Sequence, residues 1–197
     1  GISASVLFMA NGHQARVLLI NQQYVRSHDS GDFTLQGIGN HLQLNLQQQS
    51  LLSDALDKLA GQLNLTGLMS LDFMLTQTGD IFLLEINPRP SASCELLHGD
   101  IPFISWHIMA TSKILPPIND ELTSENSLLW FCYAPETIRI PMAFDWPAYC
   151  HDLPEAGTSI QKNAVVCSLL LGQKAATDEL DGHRLANSLI ETLMADA

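Results

Sequence analysis

Positive charge is scarce in this chain. Nine lysines and arginines stand against twenty-one aspartates and glutamates in 197 residues, a formal net charge of -12. A nucleic-acid binder carries a basic stripe; none is visible, and the reading excludes nucleic acid as a partner. The acidic balance also argues against an anionic membrane surface. No apolar run approaches the length of a membrane span, and no signal-peptide pattern is present. Cys94, Cys132, Cys150 and Cys167 show no CxxC-like spacing, so a zinc site is not expected. A chain this long and apolar needs no disulfide framework. The thiols are therefore expected to be reduced, in a cytoplasmic protein. The seven histidines are scattered without a metal-like pair, and the lysines do not cluster. No Ser-His-Asp or Cys-His arrangement is supported, and there is no internal repeat or low-complexity tract.

Hydrophobic residues make up 46% of the chain and charged residues only 15%. That is enough apolar material for a core, in one domain or one domain with an appendage. Residues 3–10 and 15–20 read as strands around the hairpin turn Asn11-Gly12. Residues 28–40, with three glycines, read as a loop. Leu51, Leu52, Ala55, Leu59 and Leu63 recur at helical spacing, which predicts a helix over 50–65 capped by Ser50 or Ser53. Residues 67–75 and 81–87 read as strands around Thr78-Gly79. Residues 91–115 read as mostly helical, broken near Gly99 to Pro102, and Pro116-Pro117 marks a boundary. Beyond it, 128–134, 136–140 and 164–171 read as short strands, and Leu185, Leu189 and Leu193 mark the face of a terminal helix. The chain opens Gly-Ile-Ser and enters strand-like sequence at once, which predicts a piece of a longer polypeptide.

The chemistry concentrates in the hairpin over 71–87. A turn centred between Thr78 and Gly79 sets Asp72 opposite Glu85. Like charges directly opposite on a sheet destabilise it, so something should compensate. Asn87, two residues past Glu85, shares its face. Two carboxylates and an amide oxygen are hard donors suited to Mg²⁺ or Mn²⁺. Pro88 and Pro90 stiffen the backbone on either side of Arg89, whose guanidinium would sit beside the metal and hold a phosphate. The alternative is an acidic pair on a solvated face.

Asp72-Phe73, a turn with Gly79, then Leu84-Glu85-Ile86-Asn87-Pro88-Arg89 resembles the ATP-grasp superfamily. That group includes D-alanine–D-alanine ligase, biotin carboxylase and carbamoyl-phosphate synthase. The resemblance implies an α/β (α+β) fold: an antiparallel sheet with packed helices, plus a small β-rich lid. It divides the chain into 1–115, the C-terminal half of the ATP-grasp domain, and 116–197, the lid with a terminal helix. Asp72, Glu85 and Asn87 become metal ligands, Asn87 and Arg89 contact the cofactor, and Arg89 is the catalytic residue. ATP and Mg²⁺ (or Mn²⁺) are implied, with a small carboxylate substrate. The implied reaction joins an acyl phosphate to an amine or similar nucleophile and leaves ADP and phosphate. The first half of the ATP domain would precede Gly1 or come from a partner subunit; a homo-oligomer is compatible. Biotin carboxylases place a glutamate four residues after the arginine, where this chain has Ser93, which argues against bicarbonate activation. A non-catalytic remnant that binds a partner chain is the rival reading.

Overall fold

A computed structural model describes residues 1–29, 31–97, 101–117, 126–172 and 178–195. Part of the break expected near Gly99 to Pro102 lies outside these residues. The chain divides into two compact units, Gly1–Gln23 with Asn40–Glu125, and Tyr24–Gly39 with Asn126–Ala197. The fold class is the expected one, mixed α and β with antiparallel strands.

In the first unit, β1 (Ile2–Asn11) and β2 (Ala15–Ser27) form the predicted hairpin. Asn11 Oδ1 accepts from the backbone N–H groups of His13 and Gln14 at 3.1 and 2.9 Å, an Asx turn that reverses the chain. β4 (Thr66–Leu75) pairs with β1, and β5 (Ile81–Asn87) pairs with β4, so the order is β5-β4-β1-β2. Ala4, Val6, Phe8 and Ala10 of β1 and Leu71, Phe73 and Leu75 of β4 alternate onto one face. Helix α1 (Leu46–Leu63) closes that face with Leu52, Leu56 and Ala60, one buried stripe at four-residue spacing.

This corrects the expected helix in two ways. It starts earlier, because Asn45 and not a serine is the cap. Asn45 and Gln48 bond reciprocally to each other's backbone N–H at 2.9 Å, a capping box. The buried stripe of α1 is Leu52, Leu56 and Ala60, so Leu51 and Leu63, expected on the apolar face, are exposed. Beyond β5 lie a 3₁₀ turn (Ala92–Leu96) and α2 (Phe103–Thr111). The α2 residue His107 accepts from the Leu68 backbone N–H through Nδ1 at 3.0 Å. Gly67 permits this approach: a side chain there would collide with the His107 ring.

The second unit takes the end of β2 together with β3 (Phe33–Gly39), β6 (Ser127–Tyr133), β10 (Val165–Gly172) and β8 (Cys150–His151), in the order β2-β3-β6-β10-β8. A two-stranded ladder joins β7 (Ile138–Arg139) to β9 (Ser159–Ile160). Helix α3 (Glu179–Ala195) buries Ala186, Leu189, Ile190 and Leu193 in this unit's core. The stretch 28–40, expected to be a loop, contains β3. Gly37 sits in a strand because the buried Trp130 ring occupies the space its side chain would fill, a packing reason for glycine in a strand.

Candidate functional site

The β4–β5 hairpin turns on Thr76 to Asp80. Asp80 Oδ2 accepts from Thr78 Oγ1 at 2.7 Å, and the Asp80 N–H donates to Thr76 Oγ1 at 2.9 Å. Leu75 pairs with Ile81, Met74 with Phe82 and Phe73 with Leu83. The turn is therefore centred on Thr78, not between Thr78 and Gly79. Continued unbroken, this register would set Leu84 against Asp72. A bulge intervenes: Leu84 has no partner, and the next pairs are Asp72 with Glu85, Leu71 with Ile86 and Ser70 with Asn87. A one-residue slip exchanges the faces of a strand, so the bulge is what turns Glu85 and Asn87 onto the face of Asp72. Bulges that re-aim side chains are common beside functional sites.

The three side chains meet. Asn87 Nδ2 lies 3.2 Å from Asp72 Oδ2 and 3.4 Å from Glu85 Oε1. Burial is the main cause that raises the Asp72 pKa above its ordinary value; the Glu85 charge adds to it. Hydrogen bonds from Gln23 and Asn87 oppose the rise. Gln23 Nε2 donates to Asp72 Oδ1 at 3.0 Å, and Ser3 Oγ donates to Gln23 Oε1 at 2.8 Å, which fixes the amide's orientation. Two carboxylates and the amide oxygen of Asn87 would make a donor set of the kind that holds Mg²⁺ or Mn²⁺; the amide presents Nδ2 to both acids here, so its oxygen would reach an ion with the amide turned over. Among the described residues no group of three or more His, Cys, Asp or Glu could hold a metal ion. Any ion here would use the Asn87 amide and two acids.

Registers across the four strands align Glu85, Asp72, Ser5 and Asn21 in one row. Asn21 is 0% exposed; its Nδ2 reaches Ser5 Oγ at 3.4 Å, and its Oδ1 has no hydrogen-bond partner. A buried polar atom without a partner costs stability. Ser3, Ser5, Asn21 and Gln23 were not singled out from the sequence. Ser3 and Ser5 alternate with Ala4 and Val6 along β1, a signal that could have found them; Asn21 and Gln23 flank Gln22 and carry no such signal.

Arg89 is not brought into the cluster. Its side chain is exposed and Nη1 donates to the Pro90 carbonyl at 3.2 Å, while its N–H closes a tight turn onto the Asn87 carbonyl at 2.8 Å. Ser93 is buried, with its Oγ 2.7 Å from Ser91 Oγ.

Fold and donor set together define an antiparallel sheet wall bearing an acidic hairpin site. Residues 1–93 match the ATP-grasp domain family ATP-grasp_3, which bears out the resemblance to the ATP-grasp superfamily. The chain is 46% identical over 48 residues to the arginine-specific large chain of carbamoyl phosphate synthase of Arabidopsis thaliana; the match spans 24% of this chain and 4% of that one. An L-amino acid ligase from Bacillus licheniformis superposes with TM-score 0.68 at 10% identity, over 97% of this chain and 50% of that chain. The biotin carboxylase domain of the Hydrogenobacter thermophilus 2-oxoglutarate carboxylase, a dimer in complex with MgADP, ADP and bicarbonate, superposes with TM-score 0.66 at 12% identity, over 87% and 41%. At these identities the structural likenesses establish the fold alone. The chain spans half or less of each of these proteins. No described helix is long and apolar enough to cross a membrane.

Proposed function

We propose that the chain forms one wall of the active site of an ATP- and Mg²⁺-dependent, ADP-forming ligase. The observation that carries this reading is the convergence of Asp72, Glu85 and Asn87, produced by the bulge at Leu84, which also sets Ile86 against Leu71 on the core face. Residues 1–115 act as the C-terminal half of an ATP-grasp domain and 116–197 as a small β-rich lid. ATP's remaining contacts come from an N-terminal half or a partner subunit. Mg²⁺ (or Mn²⁺) held by the three residues would screen the β- and γ-phosphates.

A substrate carboxylate oxygen attacks the γ-phosphorus as its bond to the ADP oxygen breaks. The amine nitrogen of the second substrate then attacks the acyl carbon, phosphate leaves, and the amine gives up a proton. Arg89, swung off the Pro90 carbonyl, holds the acyl phosphate or its tetrahedral successor. Gln23, itself held by Ser3, keeps Asp72 oriented. Bicarbonate activation is disfavoured, since the position of the expected base holds Ser93, buried and bonded to Ser91. Four free thiols suit a reducing, cytoplasmic setting.

Replacing Glu85 by Gln in the full-length protein tests the reading. Mg²⁺-ATP turnover is expected to vanish while circular dichroism is unchanged. Full activity in the variant sinks the assignment. The chain by itself is expected to bind ATP weakly or not at all by calorimetry.

A further inference from the structure

The face of β4 that carries Asp72 and Ser70 continues, two residues away, to Leu68. At two residues of strand this is a displacement of about 7 Å. There a cavity of about 350 Å³ is lined by Leu68, Pro90, Cys94, Phe103, Ile104 and His107. Among the described residues no carboxylate, lysine or arginine lines it. The His107 Nδ1 is taken by the Leu68 N–H, so the ring proton sits on Nε2 and the imidazole is neutral in this bond. Small-molecule clefts run from about 300 to 1,000 Å³. This one is at the low end, with room for an aromatic or branched side chain.

Its position ties it to the hairpin site. Pro90 directly follows Arg89, and Leu68 shares a strand face with Ser70, the partner of Asn87. Leu68 lies four strand residues from Asp72, about 13 Å, and two from Ser70, the partner of Asn87, so the pocket adjoins the Asn87 end of the cluster. We infer that this pocket receives the apolar side chain of the carboxylic acid that the site activates. The acid is then one with an aromatic or branched aliphatic side chain, not a dicarboxylate or bicarbonate. This rests on the ligase reading above.

Cys94 reports on the pocket without turnover. It is the one cysteine that is partly exposed; Cys132, Cys150 and Cys167 are buried. Alkylation of Cys94 by iodoacetamide in the full-length protein is followed by mass spectrometry. Millimolar 3-phenylpropionate is expected to slow it several-fold and succinate to leave it unchanged. Ile104→Asp, at a position 78% exposed and so tolerant of the charge, is expected to remove the protection. An unchanged rate with 3-phenylpropionate overturns the inference, as does equal slowing by both acids. Failure of the ligase reading shows separately, as turnover retained in Glu85→Gln.

Discussion

The two faces of β4 follow different physical rules. On one, Leu71, Phe73 and Leu75 are buried under α1 with the alternate residues of β1, and no charge interrupts the packing. On the other, Asp72 faces Glu85 directly, and the same row ends in a buried amide oxygen without a partner. Opposed like charges and orphaned polar atoms both cost stability. The comparison teaches that the apolar face holds the hairpin while the polar face carries features that cost stability, as a ligand site does. Natural sites often trade stability for function in this way.

Substitutions on the two faces should therefore separate stability from activity. The largest stability effect is expected from Phe73→Ala. Phe73 is 0% exposed, and its truncation should cost about 3–5 kcal/mol in urea unfolding. On the polar face, Glu85→Gln should do the reverse, losing turnover while the melting temperature stays level or rises. A lowered melting temperature there would break the contrast.

The third effect is smaller and depends on pH. The folded Asp72 pKa is raised, mainly by burial, so the folded state binds the proton more tightly than the unfolded chain does. Its stabilising contribution is present at acid pH and is lost as pH rises through the folded pKa, in a window beginning near the ordinary value of about 3.9. Urea titrations of wild type and Asp72→Asn across that window should show wild type losing stability relative to the variant. Parallel curves would remove the electrostatic part of the account. Metal binding should run the opposite way, strengthening as Asp72 ionises. The smallest effect belongs to Asn45→Ala beneath the apolar face, expected to cost about 1 kcal/mol with no change in turnover.

Much of this was legible in the sequence, though not always for the right reason. The facing of Asp72 and Glu85 was predicted from a turn between Thr78 and Gly79. The structure reaches it from a different turn centre and corrects the register with a bulge at Leu84, which no local pattern announces. Arg89 was expected beside the acids but bonds to Pro90. Its long side chain is exposed, and sequence fixes only where its backbone lies. Residues 28–40 looked like a loop because glycine normally weakens strands, whereas Gly37 is required by a tryptophan more than ninety residues away. The start of α1 is set by Asn45, whose capping box with Gln48 outweighs the serines at 50 and 53. The roles of Gln23 and Ser3 are set by neighbours across the sheet, which no local pattern encodes.

The central claim is that Asp72, Glu85 and Asn87 hold a divalent cation with a nucleotide. The most direct measurement is the water-proton relaxation enhancement of Mn²⁺-ATP on the full-length protein and on its Asp72→Asn, Glu85→Gln double variant. Wild type should give a saturable enhancement that the folded double variant lacks. Equal enhancement and affinity in the two proteins would contradict the account.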